Sequence, residues 1–366
     1  MDKEDVPCES CFLYVIGFAN AEKRVLMSEN RSAGNVIIAL DAMGGDFAPQ
    51  EHVKGAVEAA AREEGFILKL FGDQERLAAE LSRYQYNKER IEIVPCGSVV
   101  ENCEVPTVAI RKKKDSSMVM GLYALRNEEA QAFISCGNTG AILVGGQTIV
   151  GRIKGVDRAG LAFLLPSAKS PVLLLDSGAN VDVKPEMILQ FAQMGSIYME
   201  SVLGVPNPRV GLINIGEEKE KGNKLVHESF PLLQECTTIN FTGSVETRGL
   251  TEGQVDVAVC DGFVGNIILK TYEGVAANML QVIKGAMMKN AKTKAGALLM
   301  KSELKQSMKQ FSVEEYGGAP LLGIKKLVVK THGNSKAAEI RNTILQCSKA
   351  VREDLTGKIE RTFYGI

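Results

Sequence analysis

Three features of the sequence predict an α/β fold, a three-layer α/β/α sandwich with a mostly parallel, Rossmann-like sheet and a projecting helical hairpin. From Asn35 onward short apolar runs recur, a cluster of Gly, Asp or Asn follows many of them, and an amphipathic stretch of helical period comes next. That alternation is the pattern of parallel strands covered by helices on both faces. The predicted strands are 36–40, 66–71, 91–94, 132–135, 161–165, 172–175, 210–213, 238–241, 255–260 and 326–329.

Five of these runs end in a polar, turn-forming cluster. DAMGGD starts at Asp41, SCGNTG at Ser135, DSGAN at Asp176, NIGEEKEKGN at Asn214 and DGFVGN at Asp261. One such cluster is explained as a turn. Ligands of open α/β sheets bind beyond the carboxyl ends of the strands, so five clusters at that rim point to a binding site.

The alternation breaks at residues 274–311, which read as helix throughout or as a helical hairpin turned near 294–296. Residues 284–309 carry seven lysines against the single acid Glu303, and Met300, Leu304, Met308 and Phe311 form an apolar stripe beside them. Residues 1–34 read as a disordered or weakly held extension, with Met27 as an alternative start. Residues 35–355 form the main domain and 356–366 a tail. The apolar run 11–19 is too short to cross a bilayer and has an acidic flank, unlike a secretory signal.

Composition excludes several classes. Lys plus Arg (43) nearly balance Asp plus Glu (44), so no global nucleic-acid footprint exists and no nucleic-acid partner is expected. The eight cysteines are scattered, which suits a reducing cytoplasm. Cys8 and Cys11 form a CxxC pair, but none of His52, His227 and His332 completes a metal set, so neither a metal nor a cofactor is expected.

Eight ordered blocks carry a family resemblance: IALDAMGGD (38–46), RKKKDSSM (111–118), SCGNTGA (135–141), LDSGANVDVKP (175–185), GLINIGEEKEKGN (211–223), DGFVGNIILK (261–270), YGGAPLLG (316–323) and HGNS (332–335). The chain resembles the phosphate acyltransferase family over about residues 36–350. The resemblance implies transfer of a fatty acyl group from an acyl carrier protein to inorganic phosphate, a homodimer, and a peripheral place on the anionic inner face of the cell membrane. There a downstream glycerol-3-phosphate acyltransferase would take the product. The chain departs from the family pattern at Cys136, where Ala is common, at Ser177, where Val is usual, and in its N-terminal extension.

That reaction asks for positioning and oxyanion stabilisation more than for a covalent nucleophile, because phosphate is already anionic. Cys136 has no adjacent histidine to activate it. Phosphate is expected at Gly137, Asn138 and Thr139, where a strand gives way to a helix, and at Gly44 and Gly45. The fixed positive charge is expected from Lys184 or Lys221, with Lys113 in the basic run 111–114 and Lys270 as competitors. Asp41, Asp46, Asp176 and Asp261 are read as groups that orient lysines, hold loop amides or donate to the leaving thiolate. Asn180, Asn214 and Asn266 are neutral donors suited to a carbonyl oxygen, and His332 is a candidate proton donor. Competing readings are a coenzyme A-dependent acyltransferase and a non-catalytic lipid-sensing scaffold. A dehydrogenase is disfavoured because DAMGGD stands where a G-x-G-x-x-G turn would be required.

Overall fold

The apolar runs build two sheets. The computed structural model describes residues 34–218, 220–309 and 316–364; the N-terminal extension to residue 33, with Cys8, Cys11 and the apolar run, and Phe311 lie outside the described residues. Twelve strands form among the described residues: β1 (Val36–Asp41), β2 (Phe66–Gly72), β3 (Ile91–Pro95), β4 (Ala132–Ser135), β5 (Gly160–Leu161), β6 (Phe163–Leu165), β7 (Val172–Leu175), β8 (Arg209–Ile213), β9 (Asn240–Val245), β10 (Val257–Val259), β11 (Ala319–Leu322) and β12 (Leu327–Lys330). The first sheet has the order β3-β2-β1-β4-β12-β11-β5 and the second β6-β7-β10-β8-β9. Pairing is parallel except around β11 and at the β6 edge.

The predicted strand 161–165 is split between the sheets. Its first part pairs with β11 and its second with β7, and the chain crosses at Ala162, whose amide donates to the Pro320 carbonyl at 3.0 Å. Strand β11 is absent from the predicted strands, and Pro320 at its second position is a residue that disfavours a strand interior.

Helices cover both sheets. They are α1 (Gln50–Arg62), α2 (Gln74–Leu81), α3 (Pro106–Lys112), α4 (Ser117–Arg126), α5 (Thr139–Gly145), α6 (Pro185–Tyr198), α7 (Lys224–Glu235), α8 (Thr247–Glu252), α9 (Gly262–Met287), α10 (Ala291–Lys309), α11 (Ala337–Arg352) and α12 (Leu355–Tyr364). On one face of the first sheet α1 and α11 meet so closely that a Cβ on Gly55 would sit 2.8 Å from the Ala337 carbonyl oxygen. Val53, Ala56 and Ala59 of α1 bury Ile38, Leu40 and Leu68, each side chain of that size stabilising by about 1.5–3 kcal/mol. Val119 and Leu122 of α4 cover the other face with Phe133. In the second sheet Phe191 and Met194 of α6 belong to that same first cluster, so one core spans both sheets. The Tyr198 hydroxyl accepts from Gln346 Nε2 at 2.6 Å and ties α6 to α11.

The hairpin turns earlier than the sequence suggests. Helix α9 stops at Met287 and α10 starts at Ala291, whereas Gly296 lies inside α10. The reason is a reciprocal cap: Asn290 Oδ1 accepts from the Thr293 amide and Thr293 Oγ1 from the Asn290 amide, both at 3.0 Å. Val275, Met279, Val282, Leu298 and Leu299 are exposed along it, Leu299 at 83%.

Candidate active site

Three loops converge at the carboxyl ends of β1, β4 and β12. Asp41 is buried, and its carboxylate accepts from the amides of Met43 and Gly44 and from Ser135 Oγ at 2.7 Å. Ser135 Oγ in turn accepts from the Gly137 amide at 3.0 Å, so one carboxylate fixes two glycine loops. Burial pushes the Asp41 carboxyl up, and these donors oppose the shift. The loops touch: a Cβ on Gly44 would lie 3.0 Å from the Gly137 amide nitrogen, and one on Gly45, whose φ is +100°, 2.9 Å from the Gly333 carbonyl oxygen. Asp46 donates its amide to the same carbonyl at 2.7 Å.

The third loop brings the cation. Strand β12 pairs with β4 so that Lys330 stands opposite Ser135. Lys330 is partly buried, its ammonium donates to the Thr331 carbonyl, and among the described residues no carboxylate lies within ion-pairing distance. Burial lowers its pKa, because desolvation penalises the ammonium, and the more distant charges of Glu339 and Asp46 oppose the shift.

At the ends of the second sheet most polar groups are already committed. The buried Asp176 carboxylate accepts from the amides of Leu161, Gly178, Ala179 and Asn180, and from Asn180 Nδ2 at 2.8 Å. Asn180 Nδ2 also donates to the Ala159 carbonyl, and Asp261 caps α9 by accepting from the Val264 amide at 2.8 Å. Asn214 Nδ2 donates to the Lys221 carbonyl and to Ser244 Oγ, closing the loop after β8 on itself.

A further polar cluster lies beside His332 and Phe163. Asn266, Lys270 and Glu273 recur at i, i+4 and i+7 on one side of α9. Asn266 is exposed beside Gly178, and its amide makes no protein hydrogen bond among the described residues. Lys270 Nζ pairs with Glu273 Oε2 at 2.9 Å, and His332 Nε2 lies 3.5 Å from Glu273 Oε1. The His332 ring packs edge-on to Phe163 at 5.7 Å.

The predicted residues therefore divide. Asp41, Gly44, Gly45, Asp46 and Gly137 come together at the ends of β1 and β4, beside the loop after β12 that carries His332. Asn138 Nδ2 is spent on the carbonyls of Glu101, Asn102 and Glu104, while its Oδ1 caps α5 through the Ala141 amide. Thr139 is exposed at the first position of α5. Lys113 is held by Glu104 at 2.8 Å and by the Val99 carbonyl, and Lys221 by Glu218 at 2.9 Å. Lys184 is exposed at the start of α6. Cys136 is buried, its thiol is pushed up to about 12 by burial, and Thr331 Oγ1 donates to its sulfur at 2.8 Å. Sequence reasoning missed Lys330 and Glu273. Lys330 ends a strand one residue beyond its predicted limit, and Glu273 lies on a helix whose register against β12 is invisible in the sequence.

Comparison with known proteins agrees with this architecture. Residues 36–358 match the family model described as "Fatty acid synthesis protein". The chain is similar to a phosphate acyltransferase of Clostridium acetobutylicum, 45% identical over 326 residues that cover 89% of this chain and 98% of that one. It is also similar to one of Alkaliphilus oremlandii, 48% identical over 312 residues, or 85% and 92% of the two chains. Among solved structures, a phosphotransacetylase from Streptococcus pyogenes shares the fold with a TM-score of 0.55 at 14% identity, covering 86% of this chain and 93% of that one. With this match over nearly nine-tenths of its length, the chain belongs to the phosphate acyltransferase family and is an acyltransferase.

Proposed function

We propose that the chain moves a fatty acyl group from an acyl carrier protein thioester to inorganic phosphate, releasing an acyl phosphate for phosphatidic acid synthesis. The observation that carries this reading is Lys330, an ammonium without a carboxylate partner, set among three glycine-rich loops at the ends of β1, β4 and β12. Such a cation is compensated when an anion arrives, and the glycines leave room for that anion against the backbone. In the relatives' name the acceptor is phosphate.

Hydrogen phosphate attacks the thioester carbonyl through an oxygen that is already anionic, so no acyl-enzyme is needed. The developing oxyanion is stabilised by the free Asn266 amide and by Lys270. As the carbon–sulfur bond breaks, the phosphate proton passes to His332 Nδ1 and from there to the sulfur. Hydrogen phosphate dianion and thioester thus become acyl phosphate dianion and thiol, with no net proton uptake.

The acidic carrier protein would dock on Arg111, Lys112 and Lys114, exposed at the end of α3, the helix whose Pro106 abuts Gly140 of the second glycine loop. The exposed stripe Val275, Met279 and Val282 suits a second copy of the chain in a homodimer. Leu298, Leu299 and Met300 beside the hairpin lysines suit an anionic inner membrane face, where each lysine contributes about 1 kcal/mol. A membrane glycerol-3-phosphate acyltransferase would consume the product there.

The test supplies phosphate with either acyl carrier protein thioester or acyl-coenzyme A and measures acyl phosphate. A strong preference for the carrier protein is expected. Equal use of coenzyme A would overturn the donor assignment, and no product from either would overturn the reaction. For the membrane role, Leu298→Glu/Leu299→Glu should abolish flotation with anionic liposomes, and binding indifferent to both lipid charge and substitution would reject it.

A further inference from the structure

We propose that Glu273 is the positioning residue for His332, holding its ring and stabilising its protonated form while the proton crosses from phosphate to sulfur. The inference rests on the acyl-transfer reading above and adds to it a residue that touches no substrate atom.

The two oxygens of Glu273 are treated differently. Oε2 is paired with Lys270 Nζ at 2.9 Å. Oε1 is shielded from solvent and has no hydrogen-bond partner, yet it lies 3.5 Å from His332 Nε2. That separation is longer than a normal hydrogen bond yet within ion-pairing distance. A dehydrated carboxylate oxygen left unpaired is destabilising. An imidazolium formed during the reaction removes that penalty, and the contact tightens when it forms, as catalytic contacts often do once substrate is bound.

The remaining contacts set the ring's orientation. Phe163 packs edge-on at 77°, and the His332 backbone amide faces Glu339 Oε1 at 3.4 Å. With Nε2 turned toward Glu273, Nδ1 is left without a protein partner among the described residues, on a side chain 31% exposed. A histidine whose one nitrogen faces a carboxylate while the other is open is arranged to take and return a proton.

Other charges face the ring. Lys270 neutralises part of Glu273, Lys330 lies two residues back on β12, and Glu339 and Asp46 approach from α11 and from the first loop. Glu273 is therefore expected to act more weakly than an isolated carboxylate at this distance.

The test compares Glu273→Gln, His332→Asn and the double variant in the full chain. Glu273→Gln should lower kcat roughly tenfold while KM for phosphate stays within about twofold, the signature of an interaction made in the transition state. Glu273→Asp should restore most of the lost kcat, which separates charge from folding. The double variant should be no slower than His332→Asn alone. An unchanged kcat in Glu273→Gln, or losses that multiply in the double variant, would overturn the proposal. If His332→Asn is impaired and Glu273→Gln is normal, this inference fails alone. If His332→Asn is as active as the unaltered chain, the proton shuttle fails with it.

Discussion

At the end of β1, Asp41 gathers two loop amides and the Ser135 hydroxyl; at the end of β7, Asp176 gathers four amides and the Asn180 side chain. Both acids are buried and neither is free to face an anion. The rims differ in what is left over. After the second sheet, Asn180, Asp261 and Asn214 are all spent on neighbouring backbone and side chains, whereas the first sheet leaves Lys330 without an ion pair and His332 Nδ1 without a hydrogen-bond partner among the described residues. A rim of polar residues can thus be built mostly to hold shape, with chemistry confined to the few groups that shape leaves unpaired.

The largest effect that would sharpen this contrast is structural. Asp176→Ala removes one acceptor from five N–H donors, several of them buried, and each stranded donor costs about 1–3 kcal/mol. Water reaching the partly buried amides reduces the total, so a loss of about 4 kcal/mol or more in urea unfolding is expected. A loss below about 1 kcal/mol would show that the second rim is not organised by this carboxylate.

Lys330→Met probes the other rim and should separate stability from activity. Losing a preorganised charge of this kind costs on the order of a hundredfold or more in kcat/KM for phosphate. Removing a desolvated ammonium that lacks a counter-ion should leave the fold as stable or more stable. The ammonium loses its charge as pH rises through its lowered pKa, so phosphate affinity should fall at a lower pH than for an ordinary lysine. Full activity in the variant would remove Lys330 from the site.

This division between spent and free groups explains what was legible in the sequence. The strands of the parallel sheets were readable because apolar runs and turn clusters are local signals, and so were the glycines, since close loop contact tolerates nothing larger. The role of Asn138 was not, because the three carbonyls that take its amide come from 101–104, more than thirty residues away. Lys330 was missed for the same reason: its meaning comes from standing opposite Ser135, a register between distant strands. The split of 161–165 between sheets likewise depends on β11, which Pro320 concealed.

His52 gives the comparison a pH dependence. It lies on α1 under the first rim, fully buried, and neither ring nitrogen reaches a hydrogen-bond partner. Burial lowers its pKa to about 4, with the nearby Gly44 backbone opposing the shift. Between about 6.5 and 4 the unfolded chain therefore binds a proton that the folded chain refuses, so stability falls as pH falls through that window. The loss is up to about 3 kcal/mol and is complete near the folded value. The second rim has only His227 close in sequence, and that side chain is exposed. Acid should consequently loosen loop 41–46 before loop 176–180 in hydrogen exchange, and His52→Leu should abolish the difference. Simultaneous loosening in the unaltered chain would break the distinction.

The smallest effect is expected at Cys136, a buried thiol that lies between the glycine loops. A pKa of about 12 leaves a thiolate fraction on the order of 10⁻⁵ at pH 7, since burial raises it and the Thr331 hydroxyl opposes the shift. No imidazole contacts the sulfur to take its proton, because its hydrogen-bond partner is Thr331 Oγ1. Cys136→Ala should keep activity within about threefold and cost about 1–2 kcal/mol in stability, from the small cavity and the stranded threonine hydroxyl. Steady-state acyl phosphate formation and thermal unfolding of the variant measure both quantities. A thioester trapped on Cys136 by mass spectrometry, or a thousandfold loss of rate with the fold intact, would mean that the first rim acts by covalent transfer and that its glycine loops hold an acyl-enzyme as well as phosphate.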